Sequence, residues 1–151
     1  MVTSSQVVTI LEKLDRSDAP DALLSALTAL RDEMRVGDLG YHQIKANAAP
    51  VACGTYSRDW MLRYRYRGYL RVDPVVRGCQ SQFHPVEWKR LDWSSAAARA
   101  FLDDAIAHGI GPQGVTVPIR GPDGQFAMLS SQCMQKSLAP FSQFSNCDNN
   151  H

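Results

Sequence analysis

The sequence has no long hydrophobic run. No stretch approaches the roughly 20 apolar residues that a membrane-spanning helix needs. The first residues, MVTSSQVVTILEKLD, show neither a cationic start nor an apolar block before a small-residue cleavage site. They do not fit a signal peptide, and the cytoplasm is the expected compartment. Charge of one sign is equally scarce. Sixteen Lys and Arg against fifteen Asp and Glu leave a net charge of +1, without the basic footprint of a nucleic-acid-binding domain. Cysteine is sparse and scattered at Cys53, Cys79, Cys133 and Cys147, with no C-x-x-C pair. That spacing fits neither a zinc site nor a disulfide scaffold, and thiols packed as small hydrophobes are expected. His42, His84, His108 and His151 fall into no metal-ligand pattern, so no metal or cofactor is expected. There is no G-x-S-x-G elbow of the kind that presents a hydrolase serine.

What is present suffices for one packed domain. The 151 residues are 44% hydrophobic, which excludes a disordered chain. A domain of this length buries roughly 68–70% of the surface its unfolded chain exposes, and there is room for one ligand pocket.

The first third has helical periodicity. Val7, Ile10, Leu11 and Leu14 recur at helical spacing. Ser17 or Asp18 then offers a cap, and Pro20 suits the first turn of a second helix. Leu23, Leu24, Leu27, Leu30 and Met34 form its apolar stripe, with Arg31, Asp32, Glu33 and Arg35 on a solvated face. The period changes after Leu39. Tyr41–Ile44 alternates and Val51–Tyr56 is rich in small residues, which predicts two strands joined through Ala46–Pro50. Ser57 caps a third helix with Asp59 in its first turn, and Gly68 ends it. Pro74 bars Asp73 from an ordinary helical conformation, and Val75–Trp93 is expected to be loop-rich. Ser94–His108 is an amphipathic helix stopped by Gly109. Val115–Arg120 and Gln125–Ser130 flank Gly121–Gly124, a β-hairpin with a four-residue loop. From Ser137 the chain turns polar. The expected organisation is an α+β domain over residues 1–136, followed by a polar tail over 137–151.

The segment YSRDWMLRYRYRGYLRVDPVVRGCQSQFHPVEW concentrates Tyr56, Trp60, Tyr64, Tyr66, Tyr69 and Trp88 around Asp73. Trp60 and Tyr64, four apart, share a helix face. Apolar bodies with a few polar handles suit an enclosed site for an amphipathic small molecule. Asp73 can accept from an amide N–H, and the Trp60 indole can only donate, to a carbonyl oxygen. Plainer roles exist for each: core aromatics at 60 and 64, and an Asx-turn or helix cap at Asp73. Arg58, Arg63, Arg65, Arg67, Arg71 and Arg77 form either a solvated face or a phosphate-binding stripe, and the interrupting Asp59 and Asp73 favour the solvated face. Ser130, His84 and Asp73 could be named as a hydrolytic triad, but Ser130 lies in a hairpin strand.

The run Trp60-x3-Tyr64, Val72-Asp73-Pro74-Val75-Val76 and Pro85-x2-Trp88, with the stretch from Gly109 to Ser130, resembles the autoinducer-binding domain of LuxR-type quorum-sensing regulators. The resemblance implies an antiparallel sheet sandwiched between helices that encloses an N-acyl-homoserine lactone. It implies that Trp60 donates to the lactone carbonyl and Asp73 accepts from the ligand amide. It further implies that Tyr56 and Ser130 bond the amide-side carbonyl, and that Tyr64 packs along the acyl chain or reaches its carbonyl. Trp88, Phe101 and Ala105 would wall the lactone ring, and Gly114 matches a family glycine. Val75 stands where some relatives place a hydroxyl. The family's regulators continue into a helix-turn-helix domain that these residues do not include. The expectation is therefore a sensor that does not itself bind nucleic acid or membrane. It would form a homodimer, or a heterodimer that modulates a full-length regulator. A sensor of the PAS or GAF type and a lactone-processing enzyme are the rival readings.

Overall fold

The computed structural model of the chain describes residues 20–44, 51–121 and 124–133. The expected first helix, the caps at Ser17 and Asp18, the Ala46–Pro50 turn and the polar tail lie outside the described residues. Helix α1 spans Pro20–Met34. Strands β1 (Asp38–Ile44) and β2 (Val51–Gly54) follow, then α2 (Arg58–Tyr66) and α3 (Pro74–Ser81). The short strand β3 (Val86–Glu87), helix α4 (Ala96–Ala107) and the hairpin β4 (Gly114–Arg120) and β5 (Phe126–Gln132) complete it. Every pairing is antiparallel, in the spatial order β2-β1-β5-β4-β3. This is the expected α+β architecture.

Side chains on a strand alternate between faces, and that alternation sorts the core into two layers. Leu39, with Tyr41, Cys53 and Leu129 around it, packs under Leu23, Leu27 and Leu30 of α1. Gly40, His42, Met128 and Ser130 belong to the opposite face, where a second core gathers Trp60, Val76, Cys79, Val86, Trp88, Phe101 and Ala105. The sheet is thus covered on both faces.

Three expectations are corrected. The expectation of a loop-rich Val75–Trp93 holds only beyond Ser81, because α3 occupies its start. Asp73 lies in the extended region (φ −68°, ψ 113°) and its Oδ1 accepts from the Val75 N–H at 2.9 Å. Pro74 then takes the first helical position, where no N–H is needed. The helix is only 8 residues long, too short for a clear period. Strand β1 starts at Asp38 rather than Tyr41, because pairing with β5 extends it to Gln132. The hairpin connection runs Gly121–Gln125, closed by the Gly121 N–H donating to the Gln125 carbonyl at 2.9 Å. Arg120 therefore faces Phe126, one residue later than a four-residue loop gives.

Gly114 sits where β4 passes under Trp88. A Cβ there would lie 2.6 Å from the Ser131 carbonyl oxygen and 2.8 Å from the Trp88 ring. Backbone on one side and a buried indole on the other leave no easy relief. Gly114→Ala is expected to destabilise the fold by about 1–3 kcal/mol, read as a lowered midpoint in chemical denaturation. A midpoint equal to the parent's would contradict this packing.

Candidate ligand-binding site

Between α2, α3, α4 and the inner face of the sheet lies a cavity of ≈ 910 Å³. The Ser57 hydroxyl oxygen accepts from the Trp60 N–H at 3.2 Å and starts α2. The helix then carries Trp60 and Tyr64 onto the cavity wall together. Tyr64 Oη donates to Asp73 Oδ2 at 2.9 Å, while Oδ1 serves the α3 cap. Each carboxylate oxygen thus holds one protein donor and keeps accepting capacity toward the cavity. Burial pushes the Asp73 carboxyl up to about 6, against the opposing pull of the Val75 and Tyr64 donors. Burial, with Asp73 nearby, also raises the Tyr64 phenol.

Aromatic stacking builds one end of the cavity. Phe101 of α4 lies between two indoles, stacked on Trp60 at 6.0 Å and on Trp93 at 6.2 Å. Ala105, one turn on, adds a small wall residue. Trp88 Nε1 donates to Thr116 Oγ1 at 2.9 Å, and Thr116 Oγ1 lies 2.8 Å from Ser130 Oγ. Ser130 pairs across the sheet with Gly40. The Tyr56 ring covers Gly40 so closely that a Cβ there would lie 2.6 Å from it. Glycine at 40 is what lets the phenol lie flat on the strand. Val75 faces the cavity from the start of α3.

All nine residues singled out from the sequence therefore line one cavity: Tyr56, Trp60, Tyr64, Asp73, Val75, Trp88, Phe101, Ala105 and Ser130. Their polar groups are not equally engaged. The hydroxyl of Tyr64 and the indole N–H of Trp88 are spent on protein acceptors. The Trp60 Nε1–H and the Tyr56 hydroxyl have no hydrogen-bond partner among the described residues. In this structure the Tyr64 hydrogen is held by Asp73.

Other combinations suggested by the sequence are not assembled. His84 is exposed and lies off the cavity, its Nδ1 3.3 Å from the Pro85 carbonyl oxygen, so Ser130, His84 and Asp73 form no triad. Arg63 pairs with Asp104, while Arg58, Arg65 and Arg71 stand exposed at the cavity rim. Sequence reasoning missed Thr116, which is fully buried and ties Trp88 to Ser130. It also missed His42, Trp93 and Met128 on the cavity wall. Alternation along β1 and β5 could have marked His42 and Met128 once the inner face was known. Among the described residues, no three His, Cys, Asp or Glu side chains are gathered as a metal ion requires, and no helix is long and apolar enough to cross a membrane.

A largely apolar cavity with a few convergent polar groups, set in an α+β domain, defines a small-molecule-binding module. Residues 19–144 match the family model of the autoinducer binding domain, and the chain belongs to that family, the sensor module of LuxR-type quorum-sensing regulators. It is 43% identical over 81 residues to the transcriptional activator RaiR of Rhizobium etli, an alignment covering 54% of this chain and 34% of that protein. It is 21% identical over 129 residues to the activator VanR of Vibrio anguillarum, covering 83% of this chain and 53% of VanR. The chain thus spans a third to a half of the length of these curated relatives. Among solved structures, the fold is similar to that of CepR2 from Burkholderia cenocepacia, an N-acylhomoserine lactone-dependent LuxR-family transcription factor. The TM-score is 0.68 at 21% identity, covering 90% of this chain and 80% of that one. Escherichia coli SdiA in complex with octanoyl-rac-glycerol gives a TM-score of 0.68 at 16% identity, covering 93% and 59%.

The raised Asp73 carboxyl makes stability depend on pH. Between the ordinary carboxylate value of 3.8 and about 6 the folded protein holds a proton that the unfolded chain has released. Stability from this group therefore falls as pH rises through that window and is level above it. Asp73→Asn removes the titration. Melting temperatures measured from pH 4 to pH 7 should show the variant gaining on the parent across the window; parallel profiles would contradict the assignment.

Proposed function

We propose that the chain binds an N-acyl-homoserine lactone in this cavity, as the cytoplasmic sensor module of a quorum-sensing regulatory system. The observation that carries the reading is the match between polar groups. The cavity offers unspent donors at Trp60 and Tyr56 and a carboxylate acceptor at Asp73, set in otherwise apolar walls. An acyl-homoserine lactone has one amide N–H, one amide carbonyl and one lactone carbonyl, joined to a hydrocarbon chain. Asp73 accepts the amide N–H. Trp60 donates to the lactone carbonyl. Tyr56 donates to the amide carbonyl, with Ser130 beside it. Thr116 holds Ser130 and Trp88 in place. Phe101, Ala105, Trp88 and Val75 supply apolar wall. Membership of the family, and the lactone dependence of the structural neighbour CepR2, support the same ligand class. Catalysis on the lactone has no such support: among the described residues the Ser130 hydroxyl meets the Thr116 hydroxyl and not a base.

A ligand that binds only the folded state stabilises it by mass action, about 2.7 kcal/mol at 100 times its dissociation constant. Thermal denaturation against acyl-homoserine lactones of graded chain length is expected to give a dose-dependent rise with at least one length. No rise with any member overturns the reading. Asp73→Ala leaves the ligand N–H unpaired and Trp60→Phe removes a donor while keeping most of the bulk. Each is expected to weaken binding by about 1–3 kcal/mol, measured by calorimetric titration; parent-like affinity in both would refute the assigned roles.

In the same reading the liganded module acts through a LuxR-type regulator, as a homodimer or paired with a full-length member. Co-expression with such a regulator is expected to change its reporter output in a lactone-dependent way, and an unchanged output would remove this part of the proposal.

A further inference from the structure

His42 is a half-buried polar side chain on the cavity wall that the match to the lactone head does not use. His42 lies on β1 on the same face as Gly40, two residues further along, with Ala52 and Met128 as its cross-strand neighbours. Its ring meets Tyr64 edge-on at 6.1 Å. Neither ring nitrogen has a hydrogen-bond or charged partner among the described residues. Burial lowers its affinity for a proton, so the imidazole is neutral near pH 7. A neutral imidazole carries one donor and one acceptor, and here both are unpaired beside Met128.

The position along the ligand follows from the strand. The Gly40–Ser130 pair, under Tyr56, marks the row assigned to the amide carbonyl. His42 stands one two-residue repeat away, about 7 Å along the strand. Trp60 also touches Tyr64, but its other ring neighbours are Tyr69, Phe101 and His108, none of which contacts His42. Among the described residues, Tyr64 is thus the ring that meets both Trp60 and His42. In the lactone reading this sets His42 beside the acyl chain.

We infer that His42 forms a polar subsite in the acyl-chain region and selects lactones whose acyl chain carries an oxygen function, a carbonyl or hydroxyl, over plain hydrocarbon chains. This rests on the reading of the cavity as a lactone site. A hydrocarbon passing His42 strips water from a donor and an acceptor and returns nothing. A chain oxygen accepts from the imidazole N–H, and a chain hydroxyl can also donate to the other nitrogen.

The test compares three lactones of one chain length, unsubstituted, 3-oxo and 3-hydroxy, by calorimetric titration of the parent protein. At least one oxygenated ligand is expected to bind about tenfold or more tightly than the unsubstituted chain. His42→Leu should bring the three affinities together while still binding the unsubstituted lactone, and His42→Gln, which keeps a donor and an acceptor, should retain the preference. Equal binding of all three by the parent, or a preference that survives in His42→Leu, overturns the role of His42 alone. Binding of none of the three by the folded parent overturns the lactone reading, and this inference falls with it.

Discussion

The site depends on one buried carboxylate that serves two structures at once. Asp73 starts α3 by capping it with one oxygen, and fixes the Tyr64 phenol with the other. A buried carboxylate is costly unless its oxygens find donors, so the fold supplies two. Those donors position the group as well as satisfying it. The cap dictates where Pro74 and Val75 begin a helix. The phenol locks the face of α2 that also carries Trp60. Two walls of the cavity, α2 and α3, are therefore tied to a single side chain, and its raised proton affinity is the residual cost of that burial.

The same economy appears on the sheet. Thr116 is fully buried and accepts from Trp88 while sharing a hydrogen bond with Ser130. Gly40 and Gly114 clear space for Tyr56 and Trp88 respectively. Close approach of rings to strands is what converts a sheet face into a cavity floor. The polar groups that remain uncommitted are few, and they are distributed: Trp60 and Tyr56 near the aromatic end, His42 one strand repeat further on. In a mostly apolar enclosure, each uncommitted donor or acceptor carries specificity, because an unmatched one loses water without replacement.

Much of this was legible from residues alone. The helical stripes of α1, α2 and α4 and the serine cap at Ser57 follow from period and side-chain chemistry, whereas Ser95, expected inside its helix, instead caps it. Of the aromatic concentration around Asp73, Tyr56, Trp60, Tyr64 and Trp88 line the cavity, whereas Tyr66 is exposed and Tyr69 lies off it. Two features were not legible, for different reasons. Helix α3 is short and follows a proline, so neither its period nor its start stands out; its cap comes from a residue that equally suits a turn. The hairpin register slipped by one because Gln125 belongs to the turn, its carbonyl accepting from Gly121. A one-residue slip exchanges the faces of a strand. It would have set Thr116 opposite Leu129 instead of Ser130, hiding the link to Trp88.

The sequence by itself determined the local elements, the apolar faces and the chemical types gathered for binding, because periodicity, capping and side-chain inventory act over a few residues. Only the tertiary structure decided which polar groups remain available. That outcome depends on strand register and on contacts between residues far apart in the chain, such as Trp88 with Thr116 and Tyr64 with Asp73. It is the pairing of one donor with one distant acceptor that engages Tyr64 and Trp88 within the protein and leaves the polar groups of Trp60, Tyr56 and His42 without a partner among the described residues.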